Sequence, residues 1–147
     1  MRNRYVSLVA LIAFSLTSTQ AADDAKAQLA AARSLKCHFG PGTEAQWKGN
    51  KPSVGSARFD EDVRFDAIDL GKQSARVIGN TGAGDIRVLN TAVGLSFLDT
   101  EPAVLDVTTV FAIYAANNEF PAVDSRHVLF LGTALAEQFY GTCKVSQ

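Results

Sequence analysis

The chain has 147 residues, of which 47% are hydrophobic and 20% charged, and its formal net charge is −1. This length suits a single domain with a real hydrophobic core. The near-neutral charge argues against nucleic acid or an anionic membrane surface as a partner.

The first 21 residues have the pattern of a secretory signal peptide. Arg2 and Arg4 precede an uncharged apolar run over residues 6–16, and small residues lead to a predicted cleavage site after Ala21. The apolar run of 11 residues is too short for a membrane span, which needs about 20. Cleavage removes both arginines and no acidic residue, so the net charge goes from −1 to −3. We expect a periplasmic or secreted protein with no membrane span in the mature chain.

Residues 22–34 are rich in alanine and predict a short helix or an extended lead-in to the domain that follows. Their apolar stripe consists of Ala25, Leu29 and Ala32 and is thin. We therefore expect a short helix that lies on the folded domain of residues 35–147.

The two cysteines, Cys37 and Cys143, lie at opposite ends of the mature chain. In an exported protein an even number of cysteines favours a disulfide, whereas a metal or redox site would need a C-x-x-C motif or clustered histidines. A bond between them requires Cα atoms within about 7 Å. The first and last strands must then be neighbours.

Residues 34–39 form the first predicted strand, and residues 40–62 have little alternation and several glycines and prolines. This stretch predicts a long loop, of the kind that often serves as a lid or binding loop. It contains Trp47, the only tryptophan. The alternative is that Gln46 and Trp47 form a short strand and that Trp47 plugs one end of the domain.

Residues 63–99 read as a β-meander of four short strands separated by glycine-bearing turns. Phe65 and Phe97 lie on the predicted inner face. The alternation changes phase at Ile68 and Leu70, which predicts either a β-bulge or a strand that is buried on both faces towards its end.

The longest strand candidate covers residues 105–115, with Leu105, Val107, Thr109, Phe111 and Ile113 on the face that we expect to point inward. Two further strands follow, over residues 120–131 and 137–145. The total is eight strands. We predict an all-β fold, a single up-and-down antiparallel barrel with a short N-terminal helix.

Two motifs are more typical of turns and surfaces than of active sites. Residues 79–85, GNTGAGD, lead into a strand, whereas a phosphate-binding glycine loop leads into a helix. Asp124, Ser125 and His127 have the residue types of a hydrolase triad, but on a strand Asp124 points away from the other two.

Metal binding is not predicted either. Asp60, Glu61 and Asp62, with Asp66 and Asp69 downstream, lack EF-hand spacing and are typical of a solvated acidic edge. His38 and His127 are the only histidines. A metal site built on them has no evident third ligand.

The segments FDAIDL, SARVIGNTGAGD, GLSFLDT, VTTVFA, DSRH and FYGTC resemble short exported proteins of Gram-negative bacteria that have no assigned function. The predicted architecture is similar to the lipocalin and avidin barrels, although Trp47 departs from the lipocalin G-x-W position. It is also similar to periplasmic inhibitors of c-type lysozyme, which share the signal peptide, the size and the terminal disulfide. The first resemblance implies no activity. The lipocalin and avidin likeness implies a small apolar molecule inside the barrel, and the lysozyme-inhibitor likeness implies an enzyme as partner.

We therefore expect a non-catalytic binding protein without a cofactor, which holds a small apolar molecule inside the barrel. The expected ligand-contacting residues are Trp47, Phe65, Phe97, Phe111 and Ile113. The alternative is a protein inhibitor of a periplasmic or foreign cell-wall-degrading enzyme. In that case residues 40–62 or 81–84 would enter the enzyme's cleft. A hydrolase that uses Ser125 and His127 is the third hypothesis.

Overall fold

A computed structural model describes residues 13–114 and 116–146, in which one helix precedes eight strands. The helix α1 covers Ala13–Ala31, and a short 3-10 turn, Ala116–Asn118, lies between the sixth and seventh strands. The strands are β1 Leu35–Lys48, β2 Lys51–Asp69, β3 Ser74–Gly79, β4 Gly82–Asn90, β5 Gly94–Glu101, β6 Val104–Phe111, β7 Phe120–Phe130 and β8 Thr133–Val145.

The eight strands form a closed barrel in which each strand is antiparallel to its neighbours in sequence. Pairing of β1 with β8 closes the ring and places Cys37 directly opposite Cys143. The two cysteines form a disulfide with their Cα atoms 4.0 Å apart. The predicted fold and the predicted disulfide are both confirmed.

Helix α1 covers one end of the barrel. Ala25, Leu29 and Ala32 are all buried, as their spacing predicts, and they join the main hydrophobic core. The Tyr114 hydroxyl donates a 2.7 Å hydrogen bond to Gln28 Oε1, which ties the helix to the connection between β6 and β7. The helix therefore closes the end of the barrel that carries the β6–β7 connection.

These contacts test the predicted N-terminal helix but not the predicted signal peptide. The helix begins well before Ala22 and runs through the predicted cleavage site. Residues 1–12 lie outside the described residues, and the signal peptide of residues 1–21 stays a prediction. All three buried helix residues follow Ala21, so cleavage there would keep them.

The prediction of a long loop over residues 40–62 is wrong. These residues extend β1 and β2 into a hairpin whose turn is Gly49 and Asn50. Strand pairing is made by the backbone, so it persists here without apolar alternation, and Pro41 lies at the register shift of β1, where a proline is tolerated. Trp47 lies near the tip of the hairpin and is 46% exposed. It does not plug the barrel.

The inward face predicted for the longest strand is also wrong. Strand β6 ends at Phe111, and its most buried residues are Thr108 and Val110. Leu105 is exposed and Ile113 is 54% exposed. The opposite face points inward, and its polar residues Asp106 and Thr108 line a cavity inside the barrel. The usual rule of apolar inside and polar outside therefore fails along this strand.

Two local predictions in the meander are confirmed. The β2–β3 register shifts between Asp66 and Asp69, and Ala67 has a φ of 51°, which marks a bulge. The GNTGAGD segment is a hairpin, in which Gly79 pairs with Gly82 and β4 follows.

We expect Leu29→Ala to lower the free energy of unfolding by about 2–4 kcal/mol, because the side chain is almost fully buried beneath the barrel end. Leu129→Ala makes the same chemical change at a 59% exposed site and should cost less than about 0.5 kcal/mol. Urea unfolding of the two variants measures both values. Equal, small losses would show that α1 is not part of the folded core.

Candidate ligand cavity

The half of the barrel away from α1 contains a cavity of about 530 Å³. Its mouth is formed by the β3–β4 hairpin and by the ends of β5 and β6 near Glu101 and Val104. These turns lie at the end of the barrel opposite the β6–β7 connection. Because α1 fills one end and the cavity opens at the other, the barrel is a cup with a packed base.

The floor of the cavity is apolar. Phe65 and Phe97 stack there with their ring centroids 4.0 Å apart and their planes 12° from parallel. Val63, Val77 and Ile86 complete this surface. Phe65 and Phe97 therefore lie where the sequence places them, on the inside of the cup.

The other three expected ligand-contacting residues lie elsewhere. Trp47, Phe111 and Ile113 are not among the residues that line the cavity. Trp47 is near the tip of the β1–β2 hairpin, and Ile113 follows the end of β6. The face reversal of β6 and the extension of β1 explain these differences.

One wall of the cavity is charged, and strand register builds it. Asp99 lies opposite Asp106, Asp106 lies opposite Arg126, and Arg126 lies opposite Glu137. All four line the cavity. A single row of paired positions across four strands thus presents three carboxylates and one guanidinium to the interior.

Arg126 is held in place by acidic and aromatic contacts. Its Nε donates a 2.7 Å hydrogen bond to Asp106 Oδ2, and its Nη2 lies 3.3 Å from Asp124 Oδ2. The guanidinium carbon lies 4.2 Å from the centroid of the Phe59 ring and 5.7 Å from that of Phe139. This cation–π geometry orients the guanidinium in the wall.

Burial changes the acid–base behaviour of this wall. Burial, together with the neighbouring carboxylate of Asp124, raises the pKa of Asp106 to about 7 against the opposing effect of Arg126. Burial, together with Asp106, also raises the pKa of Asp99. Burial disfavours the charged guanidinium, but Asp124 and Asp106 outweigh this effect and leave the pKa of Arg126 above its ordinary value.

Asp124 is the most buried carboxylate of the cavity wall, with 3% of the residue exposed. Thr108 Oγ1 donates a 2.7 Å hydrogen bond to Asp124 Oδ1. Asp124 Oδ2 has no hydrogen-bond partner among the described residues, because the nearby Arg126 Nη2 does not meet hydrogen-bond geometry. A buried carboxylate oxygen without a donor is energetically costly and marks a place where a donor would be favourable.

The three residues of the hydrolase hypothesis do not assemble. Asp124 is buried in the wall of the interior, whereas Ser125 and His127 line a shallow groove on the outside of the barrel. The side-chain contact of Ser125 is a 3.4 Å hydrogen bond from Gln138 Nε2.

The acidic edge of β2 forms ion pairs rather than a metal site. Asp60 pairs with Arg58, Asp62 pairs with Lys36, and His38 lies between the two carboxylates, 3.4 Å from Asp60 and 3.0 Å from Asp62. Within residues 13–114 and 116–146, no group of three acidic, histidine or cysteine residues is arranged to hold a metal ion.

Comparison with known proteins adds no family assignment: no family model matches the chain, and no curated protein is significantly similar to it. In the part of the chain that the structure describes, no helix is long and apolar enough to cross a membrane. We therefore infer the function from the geometry of the cavity.

Sequence reasoning missed the charged wall. Its signal is present as alternate polar positions, Asp106 and Thr108 on one strand and Asp124 and Arg126 on the next. On β6, Leu105 and Val107 alternate with these polar residues and are what the usual alternation rule assigns to the interior. Recognising the wall from the sequence requires the strand register.

We expect the stability of the protein to fall as the pH rises from about 5 to 8. The folded protein holds a proton on Asp106 up to about pH 7, whereas the unfolded chain releases it near its ordinary pKa of 3.8. The folded state therefore binds more protons between these values, and raising the pH destabilises it. Asp99 contributes with the same sign.

Asp106→Asn should remove most of this pH dependence, and urea unfolding at pH 5 and pH 8 measures it. Asp85→Asn, an exposed substitution outside the cavity, is the matched control and should keep the wild-type slope. An unchanged slope in Asp106→Asn would contradict the assignment.

Proposed function

We propose that the protein is an exported, non-catalytic binding protein that holds a small molecule in the open half of the barrel. The observation that carries this proposal is the cavity of about 530 Å³ with its stacked phenylalanine floor. Its volume lies within the range of about 300–1,000 Å³ that is typical of small-molecule sites. A cup with a packed base and an open mouth admits a ligand from one side only.

Export to the periplasm or beyond is supported by two independent features. The N-terminal 21 residues have the signal-peptide pattern, and the Cys37–Cys143 disulfide is of the kind that persists in oxidising compartments. Cleavage after Ala21 would also leave the buried residues of α1 in place.

Binding is favoured over catalysis because the three residues of the hydrolase hypothesis are not brought together in the structure. Ser125 and His127 are separated from Asp124 by the sheet itself. The charged wall contains carboxylates and one guanidinium. That guanidinium, of Arg126, already forms a hydrogen bond with Asp106 and a cation–π contact with Phe59.

A second candidate function, binding of a protein partner such as a cell-wall-degrading enzyme, is favoured by an apolar outer surface. Strand register places Val54, Ala45, Ala136, His127 and Leu105 side by side across five strands. Val54, Leu105 and nearby Leu129 are exposed. Exposed apolar positions grouped on one surface are typical of protein contacts.

Inhibition of a c-type lysozyme measures this second candidate directly. We expect that inhibition, if it is the function, is lost in Leu129→Lys because a charge in the apolar outer surface opposes docking. Lys51→Ala changes a charge on the neighbouring hairpin and is the control. A protein that does not inhibit the enzyme at micromolar concentration contradicts the inhibitor function.

For the cavity, we expect the neutral fluorophore N-phenyl-1-naphthylamine to bind to the wild-type protein. The double variant Val77→Trp and Val128→Trp should weaken this binding at least about tenfold, because both side chains face the cavity and the larger rings occupy it. Fluorescence titration measures the affinity.

The matched control is the double variant Ile78→Trp and Leu129→Trp. These residues follow Val77 and Val128 on the same strands and are exposed. It should bind the fluorophore like the wild type. Equal binding by both double variants would place the fluorophore outside the cavity, and no binding by the wild type would contradict the proposed function.

A further inference from the structure

The charge of the cavity is unbalanced. Its lining contains six carboxylates and one guanidinium, that of Arg126. The acidic residues are Glu61, Asp99, Glu101, Asp106, Asp124 and Glu137. Since low-dielectric walls focus the field of one sign of charge, the cavity attracts cations and repels anions.

Arg126 neutralises only part of this charge, because its two ion pairs among the described residues are with Asp106 and Asp124. Arg126 Nε donates a hydrogen bond to Asp106, and the face of the guanidinium packs on the ring of Phe59. Arg126 Nη2 lies within ion-pair distance of Asp124 Oδ2 but does not form a hydrogen bond with it. No ion pair joins the other four carboxylates to a basic residue in the described part of the chain; these are Glu61, Asp99, Glu101 and Glu137. Most of the negative charge in the cavity is therefore available to a ligand.

A second, independent observation points to a hydrogen-bond donor. Asp124 is almost completely buried, lines the cavity and has one oxygen, Oδ2, without a hydrogen-bond partner. A ligand N–H group that reached this carboxylate would remove the cost of the unpaired oxygen and would form a charge-assisted bond.

The lining of the cavity suits an organic cation better than a metal ion. The described residues include no group of three acidic side chains arranged to hold a metal ion. Nine of the residues that line the cavity are instead aromatic or aliphatic, and Phe65 and Phe97 stack at its floor. Such a surface gains free energy only from a ligand that has an apolar body.

We propose that the cavity selects small organic amines, with the apolar body against Phe65 and Phe97 and the protonated amino group beside Asp124 and the carboxylate wall. This inference rests on the proposed binding function and specifies its ligand class. A ligand of this class satisfies the apolar floor, the unbalanced charge and the unpaired oxygen at once. A purely apolar molecule satisfies the first alone.

Amine binding should also depend on pH. Asp106 faces Asp99 on β5, Arg126 and Asp124 on β7, and the neighbouring Glu137 on β8. A bound cation favours the ionised form of Asp106, so binding releases a proton below about pH 7. The affinity for an amine should therefore rise between pH 5.5 and pH 8.

The test compares octylammonium, 1-octanol and octanoate, which share one apolar chain and differ in the charge of the head group. Isothermal titration of the wild-type mature protein should give octylammonium an affinity at least about tenfold higher than that of octanol, and octanoate the weakest of the three. Raising the salt concentration should reduce the preference for the amine.

Asp124→Asn keeps the size of the side chain and an oxygen for Thr108 but removes the charge. It should weaken octylammonium binding at least about fivefold and leave octanol binding within about twofold. Asp85→Asn removes the same charge outside the cavity and should bind both ligands like the wild type.

The outcomes separate this inference from the proposed function. If octanol and octanoate bind as tightly as octylammonium and are excluded by the cavity-filling tryptophans, the barrel is a binding protein and the amine preference is wrong. If octylammonium binds equally well to Asp124→Asn and to wild type, the role of the wall is wrong. If none of the three binds, the proposed function and this inference both fail.

Discussion

Closure of the sheet by the pairing of β1 with β8 is the constraint on which the rest of the structure depends. The Cys37–Cys143 disulfide fixes that pairing at one position, across a sequence separation of 106 residues. In the chain-entropy model such a cross-link removes about 4–5 kcal/mol of unfolded-state freedom, as an upper value. A closed ring has no free strand edges. The two ends of this barrel differ, because one end is packed and the other opens into the cavity.

At the disulfide end the barrel is filled. Cys37, Cys143 and Phe120 are fully buried there, and α1 adds Ala25 and Leu29 to the same core. At the other end the strands of β3 to β6 turn back around open space. The packed end supplies the stability that allows the open end to keep a cavity and a set of carboxylates, which would otherwise be costly to bury.

The charged wall follows from register, which cannot be read from one strand alone. Once Asp106 is opposite Arg126, the positions of Asp99 and Glu137 are fixed by their own strand pairs. Shifting β6 by one residue would replace Asp106 and Thr108 in the interior with Leu105 and Val107. The charged wall of the cavity thus depends on the register of the four strands from β5 to β8.

Much of the fold is predictable from the sequence because it depends on local signals: glycine turns, period-2 alternation around Phe65 and Phe97, and one pair of cysteines. The β1–β2 hairpin was not predicted because backbone pairing continues where side-chain alternation stops. The interior face of β6 is not predictable from alternation because its outward positions are mostly apolar, whereas two inward positions, Asp106 and Thr108, are polar. The usual pattern assigns Phe111 and Ile113 to the cavity, whereas Asp106, Asp124 and Arg126 line it. Trp47, expected near the cavity from its place in the predicted loop, lies near the tip of the β1–β2 hairpin instead.

Native mass spectrometry of the protein purified from its exporting cells tests whether the open half of the barrel holds a small molecule. We expect a native mass that exceeds the denatured mass by one defined small molecule, with the denatured chain oxidised at Cys37 and Cys143. A bare native mass, from preparations that keep other weak complexes intact, would contradict it.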